Sequence, residues 1–144
     1  MRRGWGWIAL ALPLLSACRQ TPQAAIQTGQ QIYLARCAVC HGANGEGVLN
    51  YPALAGSQWV DGSPNRFAAI ILDGVQGRIG NYAAVMPGWS STLRDTEIAE
   101  VMTWLRERDG KGLVTAVDVN HTRIETAARS TFWTEEDLRN LPER

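Results

Sequence analysis

Apolar residues recur at helical spacing in three stretches of this chain, and the segments between them are glycine-rich and without period. From Thr96 to Arg108, Ile98, Val101, Met102 and Leu105 follow the i, i+3, i+4, i+7 template. Glu97 and Glu100 fall in the first half and Arg106 and Arg108 at the end, the signs that complement a helix dipole, with Asp95 as the expected N-cap. Upstream, Ala25 to Ala38 is rich in helix formers and sets Ile32, Tyr33 and Val39 on a common side. Gly29 is costly inside such a helix, and close approach by a second helix, for which we choose Thr96–Arg108, gives it a reason. A third helix starts at Ser63-Pro64, with Ser as N-cap and Pro in the first turn, stops at Gly74, and buries Phe67, Ile70 and Ile71.

The loops are punctuated by Gly42, Gly45 and Gly47 on one side of the short helix, and run from Val75 to Ser91 on the other. No alternating strand pattern precedes residue 110, and no internal repeat is present, so the expected class is all-α with long loops. After Gly110-Lys111-Gly112 the pattern turns polar, with a short helix expected over Asp118 to Arg129 and a capped helical start at Thr134. This 110–144 extension is too small to be a domain. Its Phe132, Trp133, Leu138 and Leu141 predict that it docks, either on the preceding domain or on a partner.

At the amino terminus, Arg2 and Arg3 precede an apolar run from Trp5 to Leu15 and then Ser16-Ala17-Cys18. That run falls far short of the roughly 20 residues a membrane-spanning helix needs and carries the flanks of an export signal. Residues 1–17 are therefore read as a signal peptide. Leu15-Ser16-Ala17-Cys18 resembles a bacterial lipobox, in which Cys18 is acylated; the alternative is cleavage near Ala17 with a free thiol. Residues 18–24 form a tether spanning at most ~25 Å, so the expected location is the periplasmic side of a bacterial membrane. Losing the signal removes two of 14 basic residues and none of 14 acidic ones, leaving 12 minus 14, or −2. Nothing in that balance suggests nucleic acid. Lys111 is the only lysine, so a partner is expected to meet an uncharged, apolar rim rather than a basic face.

Cys37-Ala38-Val39-Cys40-His41 carries the chemistry. On a helical backbone, positions i, i+3 and i+4 share one face, so two thiols and one imidazole address a single ligand, the pattern of c-type haem attachment. The thiols would form thioethers to the porphyrin vinyls, and His41 would bind the iron. A zinc half-site needs about four ligands, for which only Cys18 and His121 remain, and a thioredoxin-like pair needs a βαβ setting that is missing. A domain of about 85 residues over 25–109 also needs a staple, which a buried covalent haem provides.

For the other side of the iron we choose Met86. A thioether favours ferrous iron and raises the potential, and Pro87 restrains the loop around it. Met102, on the apolar face of the last helix, and His121, in the extension, are the rivals. Arg78 and Tyr82 are candidates for bonding haem propionates, as is Trp59 through its indole N–H, with porphyrin packing as its alternative; Leu54, Ile71 and Trp89 are expected to pack around the ring.

These segments resemble one family. Gly29, Tyr33, the Cys37-x-x-Cys40-His41 motif, Tyr51-Pro52-Ala53-Leu54-Ala55-Gly56, Met86-Pro87-Gly88-Trp89 and the 97–106 helix look like a class I bacterial monohaem cytochrome c, with a resemblance covering about residues 25–109. The resemblance implies three to four helices wrapped round one covalent haem c, a proximal motif His, a distal loop Met, and a proline carbonyl, here that of Pro52, bonded to the proximal imidazole. It is nearest to cytochrome domains that accompany periplasmic dehydrogenases and oxidases, in which the stretch before Met-Pro is often longer than 75–85 here. The expected role is a one-electron carrier without catalysis of its own, whose redox partners are a donor dehydrogenase or a terminal oxidase. The alternatives are an obligate subunit of such a complex, and a haem sensor or peroxidase with an open sixth site.

Overall fold

Gly29 and Glu100 mark the point where the two long helices cross. In the computed structural model, which describes residues 21–83 and 85–143, α1 (Pro22–Arg36) lies against α5 (Asp95–Glu107), and a Cβ on Gly29 would collide with the Glu100 carbonyl. The expected reason for that glycine therefore holds. Tyr33 is fully buried one turn further along, and its ring packs tilted on that of Trp104 at 4.5 Å between centroids. Two boundaries differ from expectation. α1 begins at Pro22, with the Thr21 hydroxyl accepting from Ala24 N–H at 3.3 Å. In α5, Arg94 rather than Asp95 is the N-cap, because Glu97 reaches back to accept from the Arg94 N–H at 2.9 Å and closes the first turn one residue earlier.

α1 ends at Cys37, and the chain re-enters one helical turn, α2 (Ala38–His41). That break resets the helical phase, so Val39 does not share the buried side of Ile32 and Tyr33; it is 82% exposed. A further single turn, α3 (Gln58–Asp61), precedes α4 (Pro64–Asp73). α4 is capped by Ser63 and ended by Gly74, as its punctuation predicts, but Phe67 to Leu72 are all buried rather than one face alone. The reason is a second cover: α6 (Ala116–Thr126) packs on both α4 and α5, and Trp133 and Leu138 join Ala69 and Ile70 in a separate apolar cluster. The 110–143 extension thus docks on its own domain, through α6 and through α7 (Glu135–Asn140) with its Thr134 cap.

The expectation of no strand needs correction. β1 (Gly74–Val75) pairs antiparallel with β4 (Met86–Pro87), and inside that ladder β2 (Arg78–Ile79) pairs with β3 (Tyr82–Ala83). Two residues per strand are too few to show an alternating pattern. The ladder is held close to α4 by small residues: Gly74 sits at φ +77°, where a Cβ would strike the Met86 carbonyl, and a Cβ on Gly88 would strike the Leu72 carbonyl. Apart from these ladders the class is all-α, as expected. Among the described residues no helix is long and apolar enough to cross a membrane. The expected signal peptide, residues 1–17, and Cys18 lie outside the described residues.

Candidate haem-binding site

The motif turn is built from the backbone. Cys40 N–H and His41 N–H both donate to the Cys37 carbonyl, at 3.1 and 3.0 Å, which gives the turn that brings residues 37, 40 and 41 together. Gly42, at φ +79°, then lets the chain turn away, and its carbonyl accepts the buried Tyr33 hydroxyl at 2.7 Å. α1 thereby anchors the residue next to His41. On the other side of the turn, Gly47 N–H donates to the His41 carbonyl at 2.8 Å, and Leu54 N–H to the Gly45 carbonyl at 2.8 Å, so the glycine loop folds back and delivers Pro52 to the imidazole.

His41 Nδ1 lies 3.0 Å from the Pro52 carbonyl oxygen. A carbonyl only accepts, so Nδ1 carries the proton and Nε2 keeps its lone pair for a ligand. Burial lowers the His41 pKa, an effect that the Pro52 bond partly opposes. Burial foremost, with the neighbouring Cys40 second, pushes the Cys37 thiol up to about 11. Cys37 and Cys40 are not joined in a disulfide, which leaves both sulfurs for attachment.

These groups open on one cavity of about 550 Å³. Cys37, Cys40, His41, Pro52, Leu54, Trp59 and Met86 all line it, so the described residues from the motif, the glycine loop, α3 and the β4 strand meet at a single site. The walls between them are apolar: Phe67, Ile70, Ile71, Trp89, Leu93, Ile98, Val101 and Leu105. The rivals for Met86 lie elsewhere. Met102 is fully buried in the helix core and His121 is on α6 beside Glu125; neither lines the cavity. Tyr82 is in the lining and Arg78 is not. Among the described residues, Arg36 is the one permanently charged side chain in the wall; it was not among the expected site residues, and its signal was its place in the last turn of α1, next to Cys37.

The donor set fits a haem c. Two cysteine sulfurs, an imidazole with an available Nε2 and a thioether converge on an apolar space of suitable size, and among the described residues Arg36 gives the wall a cation for acidic ring substituents. Of the two further ligands that a zinc site would need, His121 does not line the cavity and Cys18 lies outside the described residues. Val39, Tyr51, Tyr82 and Val85 are exposed and also line the cavity, and so does Arg36, so the exposed part of the lining is largely apolar but carries a charge that the expected uncharged rim did not include.

Comparison with known proteins agrees with this chemistry. A family model described as "Cytochrome C oxidase, cbb3-type, subunit III" matches residues 24–105. The chain is similar to the cytochrome c subunit of an alcohol dehydrogenase (quinone) from Gluconobacter oxydans (strain 621H), 33% identical over 111 residues that cover 72% of this chain and 23% of the relative. It is 32% identical over 98 residues to the cbb3-type cytochrome c oxidase subunit CcoP of Azospirillum brasilense, covering 64% of this chain and 31% of that subunit. Cytochrome c6 of Tetradesmus obliquus is 31% identical over 83 residues, 56% of this chain and 86% of the relative. The chain therefore spans less than a third of the dehydrogenase and oxidase subunits, but most of the length of a small cytochrome.

Proposed function

Since the chain belongs to the cytochrome c family that this model describes, with a covalently bound haem c as its cofactor and electron transfer as its role, we propose that His41 and Met86 would hold the haem iron and that the protein is a one-electron carrier with no catalysis of its own. When bound, the haem supplies the Fe(III)/Fe(II) couple. Cys37 and Cys40 would hold the ring covalently through their sulfurs. His41 presents Nε2, and the Pro52 carbonyl holds the imidazole in that orientation through Nδ1–H. Met86 would offer a soft thioether from β4, which would favour the reduced state of the iron and leave no place for small ligands. Leu54 and Trp59, with the other apolar walls, exclude water and keep the local dielectric low, while Arg36 supplies a positive charge for the propionates.

The observation that carries the reading is the shared lining: Cys37, Cys40, His41 and Met86 line one apolar cavity from which Met102 and His121 are absent. Absorption spectra of both oxidation states, for wild type and Met86→Ala, test it. The wild type is expected to be low-spin in both states and to take up carbon monoxide poorly when reduced; Met86→Ala is expected to open the site. Ready carbon monoxide binding by the wild type contradicts the carrier and favours a sensor or peroxidase.

The setting belongs to the same proposal. Residues 1–17 act as an export signal, Cys18 takes a lipid, residues 18–24 tether the 25–109 domain at the periplasmic face, and the apolar rim meets a donor dehydrogenase or a terminal oxidase. Mass spectrometry of the mature protein reads the lipid directly. A second reading, an obligate subunit of a dehydrogenase or oxidase, is favoured by the relatives that are themselves such subunits. Co-purification of a stoichiometric large partner from the native membrane supports it over a diffusing carrier.

A further inference from the structure

Met86 sits where two apolar clusters meet, and the carboxy-terminal extension builds one of them. It packs against the helix core and also against the cluster of Ala69, Ile70, Trp133 and Leu138, two of whose four buried members come from the extension. The backbone contact is equally direct. β1 pairs with Met86 and Pro87 on one side and with Trp133 on the other, through a parallel bridge at Val75. Trp133 N–H donates to the Gly74 carbonyl at 3.0 Å, and Gln76 N–H to the Trp133 carbonyl at 2.9 Å. The indole N–H donates to Asp73 Oδ2 at 3.1 Å, and the Arg129 guanidinium lies over the ring at 3.7 Å. Further out, Glu135 accepts from Gly80 N–H, at the tip of the same loop, at 2.8 Å.

We propose that the extension is a clamp for the sixth-ligand loop, with Trp133 as its positioning residue: it acts as a third strand beside β1 and thereby holds Met86 at the iron. The inference rests on Met86 being the axial ligand. A ladder of two residues is weak by itself, since isolated two-stranded pairings are marginal in water, so closure of this loop depends on what covers its outer edge. α4 covers one part, and Trp133 is the residue that covers β1.

The test uses the full-length holoprotein and three variants, Trp133→Ala, Trp133→Phe and Met86→Ala, read by the long-wavelength ferric band of sulfur–iron ligation and by carbon monoxide uptake of the ferrous form. Met86→Ala must abolish the band; if it does not, the ligand assignment fails and the clamp with it. Given that control, Trp133→Ala is expected to weaken the band and to raise the fraction binding carbon monoxide about tenfold, while covalent haem content and helical circular dichroism stay as in wild type. Trp133→Phe keeps a ring over Ile70 and loses the indole bond, so it is expected to fall between the two. A Trp133→Ala protein with a lowered melting temperature but wild-type band and carbon monoxide uptake overturns the proposal, since the extension then only adds stability. Should Trp133→Ala yield no folded holoprotein, Trp133→Phe and Asp73→Ala, each of which removes one partner of the indole bond, decide by the same readings, and wild-type values in both overturn it.

Discussion

The Tyr33 hydroxyl donates to the Gly42 carbonyl at 2.7 Å, a buried bond that joins the last turn of α1 to the residue following His41. It couples the packing of two long helices to the position of the candidate iron ligand. Tyr33→Phe leaves that carbonyl without its buried donor, and a loss of about 1–3 kcal/mol of stability is expected in denaturant unfolding of the holoprotein.

The same tyrosine sets an alkaline limit. Burial foremost pushes its pKa above 10.0 and the Glu46 charge adds to it, while the contribution of a Cys37 thiolate, which would bring it to about 12, is lost once that sulfur is a thioether. An acid whose folded pKa is raised contributes stability that is intact below the unfolded value and is lost as pH climbs above about 10. Stability measured across that window is expected to fall in the wild type and to fall less in Tyr33→Phe.

Gly29→Ala forces a Cβ into the Glu100 carbonyl at the α1–α5 crossing. The helices must separate locally, at about 1–3 kcal/mol. Thermal unfolding is expected to show that loss with the haem spectrum unchanged, because the crossing lies outside the cavity wall.

At Gly74 the effect is expected on ligation as well. Its φ of +77° with ψ of 175° is a conformation for glycine only, and a Cβ there meets the Met86 carbonyl. Gly74→Ala is expected to cost about 1–3 kcal/mol and to lower the midpoint potential through partial loss of the thioether, read by redox titration.

Asp95 links α5 to α6, accepting from Arg123 Nε at 2.7 Å and from Asn120 Nδ2 at 2.9 Å. Burial opposes its ionisation, but these bonds together outweigh it and hold the pKa below 3.8. A depressed carboxylate contributes stability that is present above the unfolded value and lost as pH falls through the folded one, so the window lies below about pH 4. Asp95→Asn is expected to cost less than about 1 kcal/mol at neutral pH and to flatten the acid limb of an unfolding series.

Legibility in the sequence followed the strength of local signals. The 37–41 motif needs five residues in one turn, and the Gly29 crossing shows because glycine inside a helix is costly, so both were readable without the fold. Met86 was chosen over Met102 and His121 on softness and on Pro87, and it is the one of the three in the cavity wall. Val39 was misplaced because the end of α1 at Cys37 shifts the helical phase. The β1–β4 ladder was missed because its strands are too short for a period. The docking of the extension left its destination open, since the buried face of α6 is Val119, Thr122 and Thr126, a mixture that reads as polar. Arg36 was passed over because a basic residue at a helix end has an ordinary reason to be there.

The central claim is that Met86 completes the iron coordination, and methyl NMR of the ferrous holoprotein labelled at the methionine methyl carbons tests it most directly. One methyl signal is expected far upfield, under the ring current of the haem, and that signal is expected to vanish in Met86→Ala and to persist in Met102→Leu. A strongly shifted methyl that survives Met86→Ala, or a wild type with none, contradicts the account.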